Sequence, residues 1–112
     1  MKIQVSTDNH IAGHQPLLDQ VRENVESVLG RFADRITRVE VHLSDVNGRK
    51  VTPDDRRCLI EARVEGRPPF TASDEASGVL LAVNGAAEKL CRVIDSALGK
   101  QRDEARRATD PV

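Results

Sequence analysis

Hydrophobic and polar residues alternate at three places along the chain, and each place predicts a strand. From Lys2 to Ser6, Ile3 and Val5 point one way, and Lys2 and Gln4 the other. From Arg38 to Ser44, Val39, Val41 and Leu43 share one face, opposite Arg38, Glu40, His42 and Ser44. From Arg57 to Glu65, Cys58, Ile60, Ala62 and Val64 alternate with Leu59, Glu61, Arg63 and Glu65. A period of two with one apolar side marks a sheet with one covered face. A short fourth strand is expected from about Pro69 to Ala72. Pro68 and Pro69 cannot donate ladder hydrogen bonds, which fits a sheet edge.

Two further stretches repeat with a period near 3.6. Leu17, Leu18, Val21, Val25, Val28, Leu29 and Phe32 form an apolar stripe, and Pro16 suits a first helical position. This predicts a helix over 16–33. Val79, Leu80, Val83, Ala86, Ala87, Leu90, Cys91, Ile94 and Leu98 form a second, wider stripe. Ser73 as N-cap, with Asp74 and Glu75 in the first turn, sets that helix at 74–98, and Gly99 ends it. Residues 7–15 and 45–55 read as loops, the second carrying Asn47-Gly48 and Pro53. Residues 1–100 then make one domain, and residues 101–112 a charged, disordered tail.

The predicted order is β-α-β-β-β-α. A sheet with one apolar face and two amphipathic helices is satisfied when both helices pack on that face. The fold class is therefore α+β, a two-layer sandwich with a four-stranded sheet. The right-handed crossover rule makes the first two strands parallel, and the later strands follow as antiparallel neighbours.

Composition narrows the function. The chain has 112 residues, one domain's worth. Its only aromatics are Phe32 and Phe70, so there is no platform for stacking bases. Net charge is −1, from 17 Lys and Arg against 18 Asp and Glu, which argues against a strongly basic nucleic-acid binder. A local basic patch stays open, because the field depends on where charges sit. The start, MKIQVSTDNH, has no apolar core of a signal peptide, and the longest apolar run, Val79–Val83, is too short to span a bilayer. Cys58 and Cys91 read as reduced thiols, and the expected location is cytoplasmic.

Catalytic chemistry finds little support. His10 and His14 fall in a loop and His42 on the open sheet face, without the fixed geometry of a helical metal pair. Cys58 and Cys91 fall at inward positions, where cysteine behaves as a small hydrophobe. Asp45, Asp54 and Asp55 bracket a loop beside Arg49, Lys50, Arg56 and Arg57, where they read as solvated turn residues. No enzyme activity, metal or cofactor is expected. On the second helix, Lys89 and Arg92 are three apart and share a face; Ser96 and Lys100 continue the line. Glu88 and Asp95 dilute it, and composition alone reads it as a solvated helix face.

Three runs carry a family likeness: DRITRVEVHLSDVNG, DDRRCLIEARVEG and AVNGAAEKLCRVID. With the β-α-β-β-β-α order, they resemble the ribosome hibernation-promoting factor family over about residues 1–100. These proteins are also called ribosome-associated inhibitors or ribosomal subunit interface proteins, and formerly sigma-54 modulation proteins. The resemblance implies a double-stranded-RNA-binding-like fold and a partner, the ribosome. It implies a translational silencer that binds small-subunit ribosomal RNA at the subunit interface. There it would block messenger and transfer RNA sites under stress or in stationary phase. Lys89 and Arg92 match the family's basic pair on the second helix. Arg22, Arg31, Arg35, Arg38, Lys100 and Arg102 are supporting candidates chosen from charge placement. Ser96 stands where the family carries a further basic residue, and no aromatic occurs around Gly78–Leu80. No small-molecule substrate or membrane partner is implied, and the protein is expected to be monomeric off the ribosome. The chain ends at Val112 without the second domain of long family members, so it resembles a short form. An alternative reading keeps the fold but makes it a protein-interaction module with weak or no RNA binding. It would use the open sheet face with Glu40, His42, Glu61 and Arg63.

Overall fold

The computed structural model describes residues 1–8, 15–45 and 56–109, with side chains described through Gly99. The elements are β1 (Lys2–Thr7), α1 (Gln15–Leu29), β2 (Ile36–Asp45), β3 (Arg56–Val64), β4 (Phe70–Ala76) and α2 (Val79–Thr109). A single 3-10 turn over Gly30–Phe32 follows α1. The expected β-α-β-β-β-α order is therefore present. The two predicted loops, with His10, His14, Asn47-Gly48, Arg49, Lys50, Pro53, Asp54 and Asp55, fall largely outside the described residues.

The sheet order is β1-β2-β3-β4. β1 pairs parallel with β2, matching Ile3 to Val39 and Val5 to Val41. β2–β3 and β3–β4 are antiparallel. Val39, Val41, Leu43, Cys58, Ile60, Ala62 and Val64 are buried on one face. Val21, Val25 and Leu29 of α1 and Ala82, Val83, Ala86, Ala87, Leu90 and Ile94 of α2 cover it. Aliphatic side chains removed from water contribute about 25 cal/mol per Å² of apolar surface, so this single cluster holds the two layers together. Among the described residues, no helix covers the opposite face, with Arg38, Glu40, His42, Leu59, Glu61 and Arg63.

β2 starts two residues earlier than alternation indicates. Ile36 and Val39 are both buried, although their positions differ in parity. A register shift between Ile36 and Arg38 reconciles them. Thr37 is the extra residue, and its Oγ1 donates to the Arg63 carbonyl at 3.2 Å. Such a bulge re-aims one side chain without slipping the rest of the strand. Between β3 and β4, Gly66 adopts φ +79° and Arg67 N–H donates to the Val64 carbonyl at 3.1 Å. Glycine meets that left-handed turn conformation at no steric cost.

Other boundaries also depart from expectation. The first helix, expected over 16–33, leaves α geometry after Leu29 and ends in the 3-10 turn. Ser73, Asp74 and Glu75 do not open the second helix; they belong to β4, paired with Leu59, Cys58 and Arg57. A ladder partner for each β3 residue from Arg56 to Ala62 outweighs the capping preference of a serine. The helix opens instead after Ser77-Gly78, with Ala82 N–H donating to the Gly78 carbonyl at 3.0 Å. Nor does Gly99 end it. The helix continues to Thr109 through QRDEARRA, a run of strong helix formers that outvotes a glycine costing about 1 kcal/mol. At 1.5 Å per residue α2 is roughly 46 Å long, against roughly 33 Å for the longest strand, so it overhangs the sheet.

Candidate nucleic-acid interface

The outer face of α2 carries the basic pair that the spacing predicts. Leu90, Cys91 and Ile94 point into the core, which turns Lys89 and Arg92 outward. The two behave differently. Lys89 Nζ lies 2.9 Å from Asp74 Oδ1 and donates to the Ser73 carbonyl at 3.3 Å, so it bends toward β4. Arg92 is exposed and has no ion-pair partner among the described residues.

Arg31 joins this surface from the other side. It sits in the 3-10 turn after α1, 3.8 Å from Asp95 of α2, and its guanidinium stands 4.6 Å over the Phe32 ring. Asp95 is three residues after Arg92 and shares its side of the helix. The face therefore runs from Lys89 through Arg92 to the Arg31–Asp95 pair. Exposed pairs of this kind contribute at most about 1 kcal/mol to stability, so Arg31 exchanges partners at little cost.

The other candidates are scattered. Arg22 lies on α1, 3.4 Å from Asp19. Arg35 is exposed between the 3-10 turn and β2, and its backbone N–H donates to the Phe32 carbonyl at 2.8 Å. Arg38 occupies the open sheet face, 3.0 Å from Glu40 and hydrogen-bonded to Gln4. The sheet separates it from Lys89 and Arg92. Lys100 and Arg102 continue α2 in backbone, but their side chains lie outside the described residues.

Asp74 and Gly85 escaped sequence reasoning. Sequence places Asp74 in a helix turn, whereas it occupies a core-facing position of β4. Its carboxylate rests on α2, where a Cβ on Gly85 would overlap it and lie 2.8 Å from Cγ. The available signal was the period of two through Phe70, Ala72, Asp74 and Ala76, continued past the predicted strand end.

Both cysteines are free thiols in buried positions. Burial, with a smaller contribution from the Asp74 carboxylate, pushes the Cys58 thiol up to about 12. Burial also raises Cys91, whose Sγ lies 3.2 Å from the Val28 carbonyl and acts as donor to it. Neither is a thiolate nucleophile at neutral pH. Among the described residues no three His, Cys, Asp or Glu side chains are grouped to hold a metal ion. No described helix is long and apolar enough to cross a membrane.

Comparison with known proteins gives this surface its context. Residues 3–102 match the family described as Sigma 54 modulation protein / S30EA ribosomal protein. No curated protein matches the chain by sequence. The Thermus thermophilus Protein Y N-terminal domain superposes with a TM-score of 0.62 at 18% identity, covering 80% of this chain and 91% of that one. A ribosomal subunit interface protein from Coxiella burnetii superposes with a TM-score of 0.61 at 18% identity, covering 92% of this chain and 99% of that one. At this identity the two structures establish a shared fold. The family match runs from β1 through most of α2, and on that ground the chain belongs to the sigma 54 modulation protein / S30EA ribosomal protein family, whose members are non-enzymatic, ribosome-associated factors.

Proposed function

We propose that this protein silences translation by occupying the small ribosomal subunit at its interface side. The outer face of α2 would bind ribosomal RNA there and exclude messenger and transfer RNA. The observation that carries this reading is Arg92, exposed at the crest of a core-anchored helix and unpaired among the described residues. The planar fork of a guanidinium meets a phosphate bidentately, so less entropy is lost per hydrogen bond formed. Lys89 and Arg31 flank it, each already near a carboxylate. The protein acts by steric occlusion, so it needs no cofactor, and it works in the cytoplasm as a monomer until it binds. Scarcity during stress or stationary phase is the setting in which such occlusion is useful.

A second reading rests on the same pairings. Arg22, Arg31 and Lys89 each lie within 4 Å of an acid, which lowers the positive field of the helical side. The protein would then dock a ribosomal or other protein through the open sheet face with Glu40, His42, Glu61 and Arg63.

Sedimentation with separated ribosomal subunits, coupled to a translation assay, tests the first reading. The expected result is cosedimentation with the small subunit and a fall in translation that prebound messenger and transfer RNA prevent. Equal binding to both subunits, or binding with translation unaffected, would rule it out.

A further inference from the structure

The pairing of Lys89 departs from what an RNA-contacting lysine needs. Phe70, Ala72 and Asp74 of β4 pair with Ala62, Ile60 and Cys58, all three buried, so Asp74 shares the helix-covered side of the sheet. An aspartate there requires a seat. Gly85 supplies one: without a Cβ, the α2 backbone leaves room for the carboxylate. Lys89, one helical turn further on, folds back over the same carboxylate. An ammonium has three N–H donors. One goes to Asp74 Oδ1 and one to the Ser73 carbonyl, leaving a single donor for anything outside the molecule.

We propose that Asp74 sets the RNA affinity of the protein: its carboxylate pairs with the Lys89 ammonium where an RNA phosphate would otherwise bind. The inference rests on the reading that the outer face of α2 meets RNA. Phosphate binding draws its strength and its salt dependence from cations that displace counterions. A lysine neutralised within the protein displaces few. Lys89 therefore meets RNA as half of a neutral pair, and Arg92 carries the anchoring contact. Asp74 is thus a positioning residue that acts through Lys89. Gly85 is the feature of α2 that admits it.

The test is a salt titration of binding to purified small subunits, using the full chain from about 50 to 200 mM salt. The variants are Asp74→Asn, Lys89→Ala, the double variant and Arg92→Glu, with Asp74→Ala as a second way to remove the charge. Thermal unfolding establishes that each is folded. Asp74→Asn is expected to tighten binding about threefold to tenfold at low salt and to steepen the log–log salt slope by roughly 0.7 to 0.9. In the Lys89→Ala background the steepening should vanish. An equal gain with and without Lys89 would mean simple repulsion between Asp74 and phosphate, and would overturn the proposal. So would an unchanged or weakened Asp74→Asn, provided Arg92→Glu still weakens binding, and the RNA-facing reading of α2 would then survive. If Arg92→Glu also leaves binding and slope unchanged, that reading itself is wrong.

Discussion

Lys89 Nζ and Asp74 Oδ1 lie 2.9 Å apart across the joint between α2 and the edge strand β4. The pair is half-buried, with 46% of the lysine side chain and 29% of the aspartate side chain exposed. It fastens the last strand to the helix that covers it. It also divides the basic face of α2 into a held lysine and an arginine with no ion-pair partner among the described residues. Under the proposed function, the two residues of this basic pair would have different roles.

Arg92 is the residue on which binding should depend most. Arg92→Glu replaces a cation that is unpaired among the described residues with an anion beside Glu88 and Asp95. Ribosome affinity should fall at least about tenfold at low salt, since a phosphate contact is lost and repulsion is added. Arg38→Glu, on the far side of the sheet, should cost less. A larger loss from Arg38→Glu in the same cosedimentation series would transfer the binding surface to the open sheet face.

Gly99 lies inside α2, and a Cβ there would meet nothing within 4 Å. Gly99→Ala should raise stability by roughly 0.5 to 1 kcal/mol, because alanine loses less backbone entropy in a helix. Urea unfolding gives the answer. A drop in the midpoint would show that the helix does not run through this position.

Alkaline pH should weaken the fold through Cys58. Its thiol is held up at about 12, against 9.0 for an ordinary cysteine. Below pH 9 both folded and unfolded chains keep the proton, and the contribution is fully present. Between pH 9 and 12 the unfolded chain releases it and the folded chain does not, so stability falls as pH rises. Cys58→Ala removes this contribution, and its unfolding midpoint should fall less steeply than wild type over that window. Parallel pH profiles for the two proteins would contradict the assignment.

Ile60 is fully buried in the middle of β3, between two paired strands and under the helices. Ile60→Ala should cost about 2 to 5 kcal/mol, the range for deleting a buried aliphatic side chain with partial collapse of the cavity. Chemical denaturation measures it directly. A loss below about 1 kcal/mol would mean the core is looser than its burial indicates.

Much of this fold is legible in the order of residues, because β2, β3 and both helices have a single apolar side. Alternation through Val39–Leu43 and Cys58–Val64 settles which side is covered. The remaining features depend on partners that no local pattern contains. Ile36 is buried through a bulge that only the facing strand imposes. Ser73-Asp74-Glu75 has the composition of a helix start, yet pairing with Arg57, Cys58 and Leu59 keeps it in the sheet. Gly99 has the composition of a stop, yet helix formers flank it on both sides. The basic pair at Lys89 and Arg92 was visible from its spacing, but its inequality was not. That inequality arises from an aspartate fifteen residues earlier, seated where a glycine leaves room.

Photocrosslinking from position 92 tests most directly whether α2 is the surface that meets the ribosome. A photoreactive side chain at position 92 should attach to small-subunit ribosomal RNA, while one at position 42 on the open sheet face should not. Attachment from position 42 to a protein, with none from position 92 to RNA, would contradict the proposed function and favour the protein-docking reading.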